Sequence, residues 1–182
     1  QAFFRFMQDD PQFYFTSGPA LVAEYQVVKR RIDALLPRMF SLFPKADYEV
    51  REVEPFRARS SAGGFYQPPS ADGKRPGYFY VNTYNLKAQP KFGVETLSLH
   101  EAAPGHHFQI ALQQELPQLP RFRRFGGYNA YVEGWALYAA MSAIFLPLLL
   151  LCVVAEQTGN PKLTDLGVDQ AASTLQAGGN ME

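Results

Sequence analysis

Apolar residues recur at three- and four-residue steps through Leu21, Tyr25, Val28, Ile32, Leu35, Met39 and Leu42. That spacing predicts an amphipathic helix ending near Phe43. Ser17 offers a capping oxygen, and Pro19 suits a first turn. Pro37 is expected to kink the far end. Lys29, Arg30, Arg31 and Asp33 fall between the apolar positions and read as the solvated face. Before this helix, Gln1 to Thr16 is rich in phenylalanine without a clear period. After it the signal changes to strand. Tyr48 to Val53 partly alternates, Gly63-Gly64 and Pro68-Pro69 punctuate, and Tyr78 to Asn82 is dense in β-formers. A loop is expected from Ser70 to Gly77. Helical character returns from Phe92 to Ala103 and from Phe108 to Leu116, on either side of Pro104-Gly105. Leu116 to Asn129 reads as a connection. The expected fold is mainly α with a small antiparallel β-sheet, an α+β chain.

The last third departs from this pattern. Trp135 to Ala155 carries no charged residue, and a bilayer-crossing helix needs about twenty apolar positions. Pro147 interrupts the run, so a buried helix is the preferred reading and membrane insertion the lesser one. Residues 141–182 hold a single aromatic, Phe145, and a single basic residue, Lys162. The expected division is therefore residues 1–140 as one domain, followed by 141–182 as a divergent apolar helix and polar tail.

Charge removes some functions. Seventeen basic and seventeen acidic residues cancel, which gives no electrostatic case for nucleic acid or an anionic surface. The lone Cys152 excludes an internal disulfide. No signal-peptide pattern opens the chain, and it begins at Gln1. It is therefore read as a piece of something longer, with a periplasmic or secreted location left open.

All three histidines fall in His100-Glu101-Ala102-Ala103-Pro104-Gly105-His106-His107. Imidazole and carboxylate bind divalent metals, and His-Glu opens the zinc-hydrolase signature whose glutamate is the general base. The usual second histidine lies four residues on. Here it lies six or seven on, about 240° round an unbroken helix for His106 and ~10 Å along the axis for His107. Pro104 breaks the helical bonding and Gly105 tolerates unusual angles. A bulge at this pair would bring His106 into the ligand position, leaving His107 beside the site as a supporting residue or alternative ligand. Glu133 is the candidate third ligand, 27 residues beyond His106 at the head of an apolar stretch. Its alternative is a helix-start glutamate favoured by the macrodipole.

The stretches His100 to Gln109 and Glu133-Gly134-Trp135-Ala136-Leu137-Tyr138 together resemble the bacterial domain-of-unknown-function 885 family. That resemblance runs from the N-terminus to about Ala139. It implies a mostly helical, gluzincin-like zinc metallopeptidase with a zincin-like helix pair. The family's His-Glu-x-x-Pro-Gly-His motif maps onto His100, Glu101 and His106, and its second motif onto Glu133.

The expected chemistry is hydrolysis of peptide bonds with one Zn²⁺ per chain. His100, His106 and Glu133 are the ligands and Glu101 is the general base. Tyr128 or Tyr131 is a candidate oxyanion donor, though such tyrosines more often pack. Arg121 is a candidate grip for a substrate carboxylate, and a basic cluster of this kind is more often solvated. Tyr78 to Asn82, through Tyr80 and Asn82, is the candidate strand for pairing with an extended peptide. Its bland alternative is a core hairpin. Two other classes compete: a non-catalytic or truncated metal-binding domain, and a membrane-associated fragment. Another amide or ester substrate is a lesser variant. Oligomeric state is not legible.

Overall fold

The structure, a computed structural model, describes residues 2–142. Residues 1–140 form a compact unit. The expectations for 143–182 lie outside the described residues. Among the described residues no helix is long and apolar enough to cross a membrane.

The phenylalanine-rich N-terminus forms helix α1, Ala2–Asp9. Phe3 and Phe4 are exposed, while Phe6 meets Phe13 edge-on at 5.3 Å. Helix α2, Gly18–Leu35, starts as expected: the Ser17 hydroxyl accepts from the Ala20 amide and Pro19 sits in the first turn. Its buried stripe is Leu21, Tyr25, Val28 and Ile32. Each such side chain contributes about 1.5–3 kcal/mol on leaving water. The helix stops earlier than expected. Pro37 lies in a 3-10 turn, Leu36–Arg38, and ends the helix rather than kinking it. Met39 and Leu42, beyond the break, are exposed.

Strand β1, Tyr48–Glu52, is followed by the one-turn helix α3, Pro55–Ala58. Strands β2, Gly64–Gln67, and β3, Gly77–Val81, complete the sheet. The order is β1-β3-β2. β3 runs parallel to β1 and antiparallel to β2. The sheet is therefore mixed, which corrects the antiparallel expectation. An intervening helix and strand between β1 and β3 allow the parallel pairing that a hairpin cannot make. β3 is the buried centre, and Phe79 packs edge-on against Tyr25 of α2 at 5.2 Å.

Helix α4, Val94–Glu101, packs on both α2 and β2. Helix α5, His106–Gln114, follows after a four-residue turn. A short helix α6, Arg121–Phe125, lies in the expected connection. Helix α7 begins at 129 and fills the rest of this unit to 140. The architecture is α+β, mainly helical.

Candidate metal centre

The metal motif does not form one bulged helix. α4 ends at Glu101, the Ala103–Pro104 peptide is cis, and α5 starts at His106. The turn is closed by the Ala102 amide donating to Ser98 and the His107 amide donating to Ala102. Gly105 is required by close approach. A Cβ there would lie 1.9 Å from the His100 carbonyl oxygen and 2.4 Å from that of Leu99. This packing folds the start of α5 back against the end of α4 and sets the imidazoles of His100 and His106 edge-on, 4.7 Å apart.

α7 supplies the third group. Its Trp135 indole Nε1 donates to the Pro104 carbonyl at 2.7 Å. Gln109 of α5 donates through Nε2 to the Tyr131 carbonyl at 3.1 Å. Glu133 lies between these two anchors in sequence. Its carboxylate oxygen stands 3.4 Å from His100 Nε2 and 3.6 Å from His106 Nε2. One ligand atom from each of His100, His106 and Glu133 lies within 4.8 Å of the others. Ligands at ~2.0–2.1 Å around a tetrahedral zinc stand about 3.3 Å apart, so the donor set and its spacing fit such an ion.

Glu101 belongs to the same cluster. Its carboxylate lies 3.9 Å from His106 Nε2, with the side chain 12% exposed. Burial, then the neighbouring Glu133 charge, pushes its pKa up to about 7 against a weaker opposing bond from the Tyr66 amide. Burial lowers the His106 pKa, which favours the neutral, ligating ring. Glu133 is 61% exposed, so the cluster opens to solvent on that side. A cleft of about 360 Å³ adjoins it, with Phe65, Tyr66, Ile110 and Val132 in its walls beside Glu101 and His106.

The remaining sequence candidates lie elsewhere. His107 faces away from the cluster: its Nδ1 bonds the Tyr66 hydroxyl at 2.8 Å and its ring packs on Tyr48. Burial holds its pKa down at about 4. Neighbouring positions on a helix point about 100° apart, which separates His107 from His106. Tyr128 and Tyr131 are exposed, and neither lines the cleft. Arg121 is exposed on α6 with its guanidinium 5.8 Å from the Phe125 ring.

The expectation that Tyr78 to Asn82 pairs with substrate is overturned. β3 is central and both its edges are already bonded. Tyr80 stacks on Phe65 at 5.0 Å. Asn82 is buried, and its amide donates to the carbonyls of Ala58, Ser61 and Ala62. The edge strand beside the cleft is β2, whose Tyr66 amide bonds Glu101. The Asn82 amide donates to Gly63, so in this register Gly64 and Tyr66 turn their backbone groups away from β3. Gly63-Gly64, read as punctuation, concealed that strand. Trp135 was in view within the second motif, but Gln109 carried no signal that marked it.

Three kinds of similarity relate the chain to known proteins. A solved structure from Colwellia psychrerythraea, a "putative lipoprotein", matches with TM-score 0.72 and 38% identity over 76% of this chain and 24% of that one. The chain thus spans about a quarter of that relative. A separate 50-residue similarity, 28% of this chain, relates it to the potassium-binding subunit of potassium-transporting ATPases. It is 70% identical to the subunit from Sorangium cellulosum and 58% to that from Anaeromyxobacter dehalogenans, in each case over 9% of the relative. Residues 1–143 match the profile of a bacterial protein family of unknown function, DUF885, and the chain belongs to that family.

Proposed function

We propose that the cluster is a zinc site and that the protein hydrolyses peptide bonds. The observation carrying this reading is the convergence of His100, His106 and Glu133 within 4.8 Å, with the buried carboxyl of Glu101 at its side. Two imidazoles and a carboxylate with one position left open are a hydrolytic donor set. Bound there, zinc would acidify its water toward neutrality and polarise the scissile carbonyl. Glu101 takes the proton from the attacking water and delivers it to the leaving amine. The exposed face at Glu133 admits substrate, and an extended peptide lies along the edge strand β2. Phe65, Ile110 and Val132 offer apolar contact beside the reacting bond.

The short similarity to potassium-binding subunits does not bear on peptidase activity. The test combines elemental analysis with cleavage of a mixed peptide library. The purified chain should hold one zinc and cleave in a chelator-sensitive way. Glu101→Gln should keep the metal and lose about 10²–10⁴-fold in rate. Undiminished cleavage by the variant would remove Glu101 from its role.

A further inference from the structure

Two buried polar atoms beside the cluster have no partner among the described residues: His106 Nδ1 and Gln109 Oε1. They are chemically complementary. Nε2 is the nitrogen turned to the cluster, 3.6 Å from a Glu133 carboxylate oxygen, so a neutral ring that keeps Nε2 free to ligate carries its hydrogen on Nδ1. The Gln109 amide is oriented by its own donation, from Nε2 to the Tyr131 carbonyl at 3.1 Å. That leaves Oε1 as an acceptor. The two residues stand three apart on α5, the spacing at which helical side chains are neighbours. Both are more than nine-tenths buried, at 6% and 8% exposure. An unpaired donor and an unpaired acceptor, three residues apart on one helix and both buried, are each costly, and pairing relieves both.

We infer that Gln109 is the positioning residue of the centre: it accepts the His106 Nδ1 hydrogen, directly or through one water, while holding the Glu133-bearing helix by Tyr131. This rests on the zinc reading above. Ligating histidines fix ring orientation and tautomer through such a partner. Here one side chain would set two ligands at once, since Tyr131 lies two residues before Glu133 and His106 one turn before Gln109.

The test uses ¹⁵N-labelled protein, whose only histidines are His100, His106 and His107. Long-range ¹H–¹⁵N spectra of the metal-free chain should show His106 as the Nδ1–H tautomer, and Gln109→Leu should lose that preference. Zinc affinity, read by competition with a chromophoric chelator, should fall about 10–100-fold in Gln109→Leu. Gln109→Glu keeps an acceptor for Nδ1–H but loses the donor to Tyr131, and should recover the part of the lost affinity that belongs to His106. A merely structural role would leave the two variants alike. Wild-type tautomer and zinc affinity retained in Gln109→Leu would overturn the inference. If that variant does not fold, an Nε2–H tautomer in the wild-type chain overturns it equally. A tautomer that responds to Gln109 in a chain that takes up no zinc would sink the metal reading and leave the positioning contact standing.

Discussion

Glu101 is a carboxyl that folding makes harder to ionise. Its folded pKa, about 7, lies above the ordinary 4.5. For a raised carboxyl, the stabilising contribution is full below about 4.5 and is lost as pH rises through 7. At pH 8 the metal-free protein therefore holds an unfavourable buried charge. Glu101→Gln should stabilise it there by about 1–2 kcal/mol, a few degrees in melting temperature. Near pH 4 the two should melt together, and scanning calorimetry in chelator checks both arms. His107 has the opposite character, a neutral ring serving packing. Tyr66→Phe, which removes its hydroxyl partner, should cost about 1 kcal/mol in urea unfolding and leave zinc content unchanged. Residue chemistry was legible in the clustering of the histidines: His100 and His106 converge with Glu133, for which spacing leaves a helix-start role equally open. The direction of His107 was not, because a break in a helix resets the phase of every side chain after it.

At the scale of elements, the α4–turn–α5 unit and α7 make the site, and their joints are testable. A methyl at Gly105 meets the His100 carbonyl at 1.9 Å, and backbone cannot yield as a flexible side chain can. Gly105→Ala should destabilise the fold by about 2 kcal/mol or more and abolish zinc uptake. Trp135→Phe keeps the ring but leaves the Pro104 carbonyl without its donor. It should cost about 1–2 kcal/mol and weaken zinc binding, because Glu133 rides on the same helix. Element legibility followed period. The stripe from Leu21 to Ile32 was clear because one face of an 18-residue helix is buried, against α4 and the sheet together. β2 was hidden because four residues starting with glycine show no alternation, and α1 because eight residues complete only about two turns. The pairing of β1 with β3 was not legible either, since parallel register is set by what crosses between the strands rather than by the strands themselves.

For the whole molecule, the family match covers residues 1–143 and ends close to where aromatic and basic residues thin out along the chain. The relative from Colwellia psychrerythraea is longer, with this chain spanning 24% of it. Among the described residues, the centre is nonetheless assembled between His100 and Glu133. Binding of metal to the folded form should therefore raise the melting temperature of this chain as zinc is added, since a ligand taken only by the folded form stabilises it. The most direct measurement is the zinc content and extended X-ray absorption fine structure of the purified chain, compared with His106→Ala and Glu133→Ala. The account predicts one zinc per chain with nitrogen and oxygen neighbours at ~2.0–2.1 Å, and loss of that metal in either variant. A chain that takes up no zinc, or variants that retain it with the same neighbours, would contradict the account.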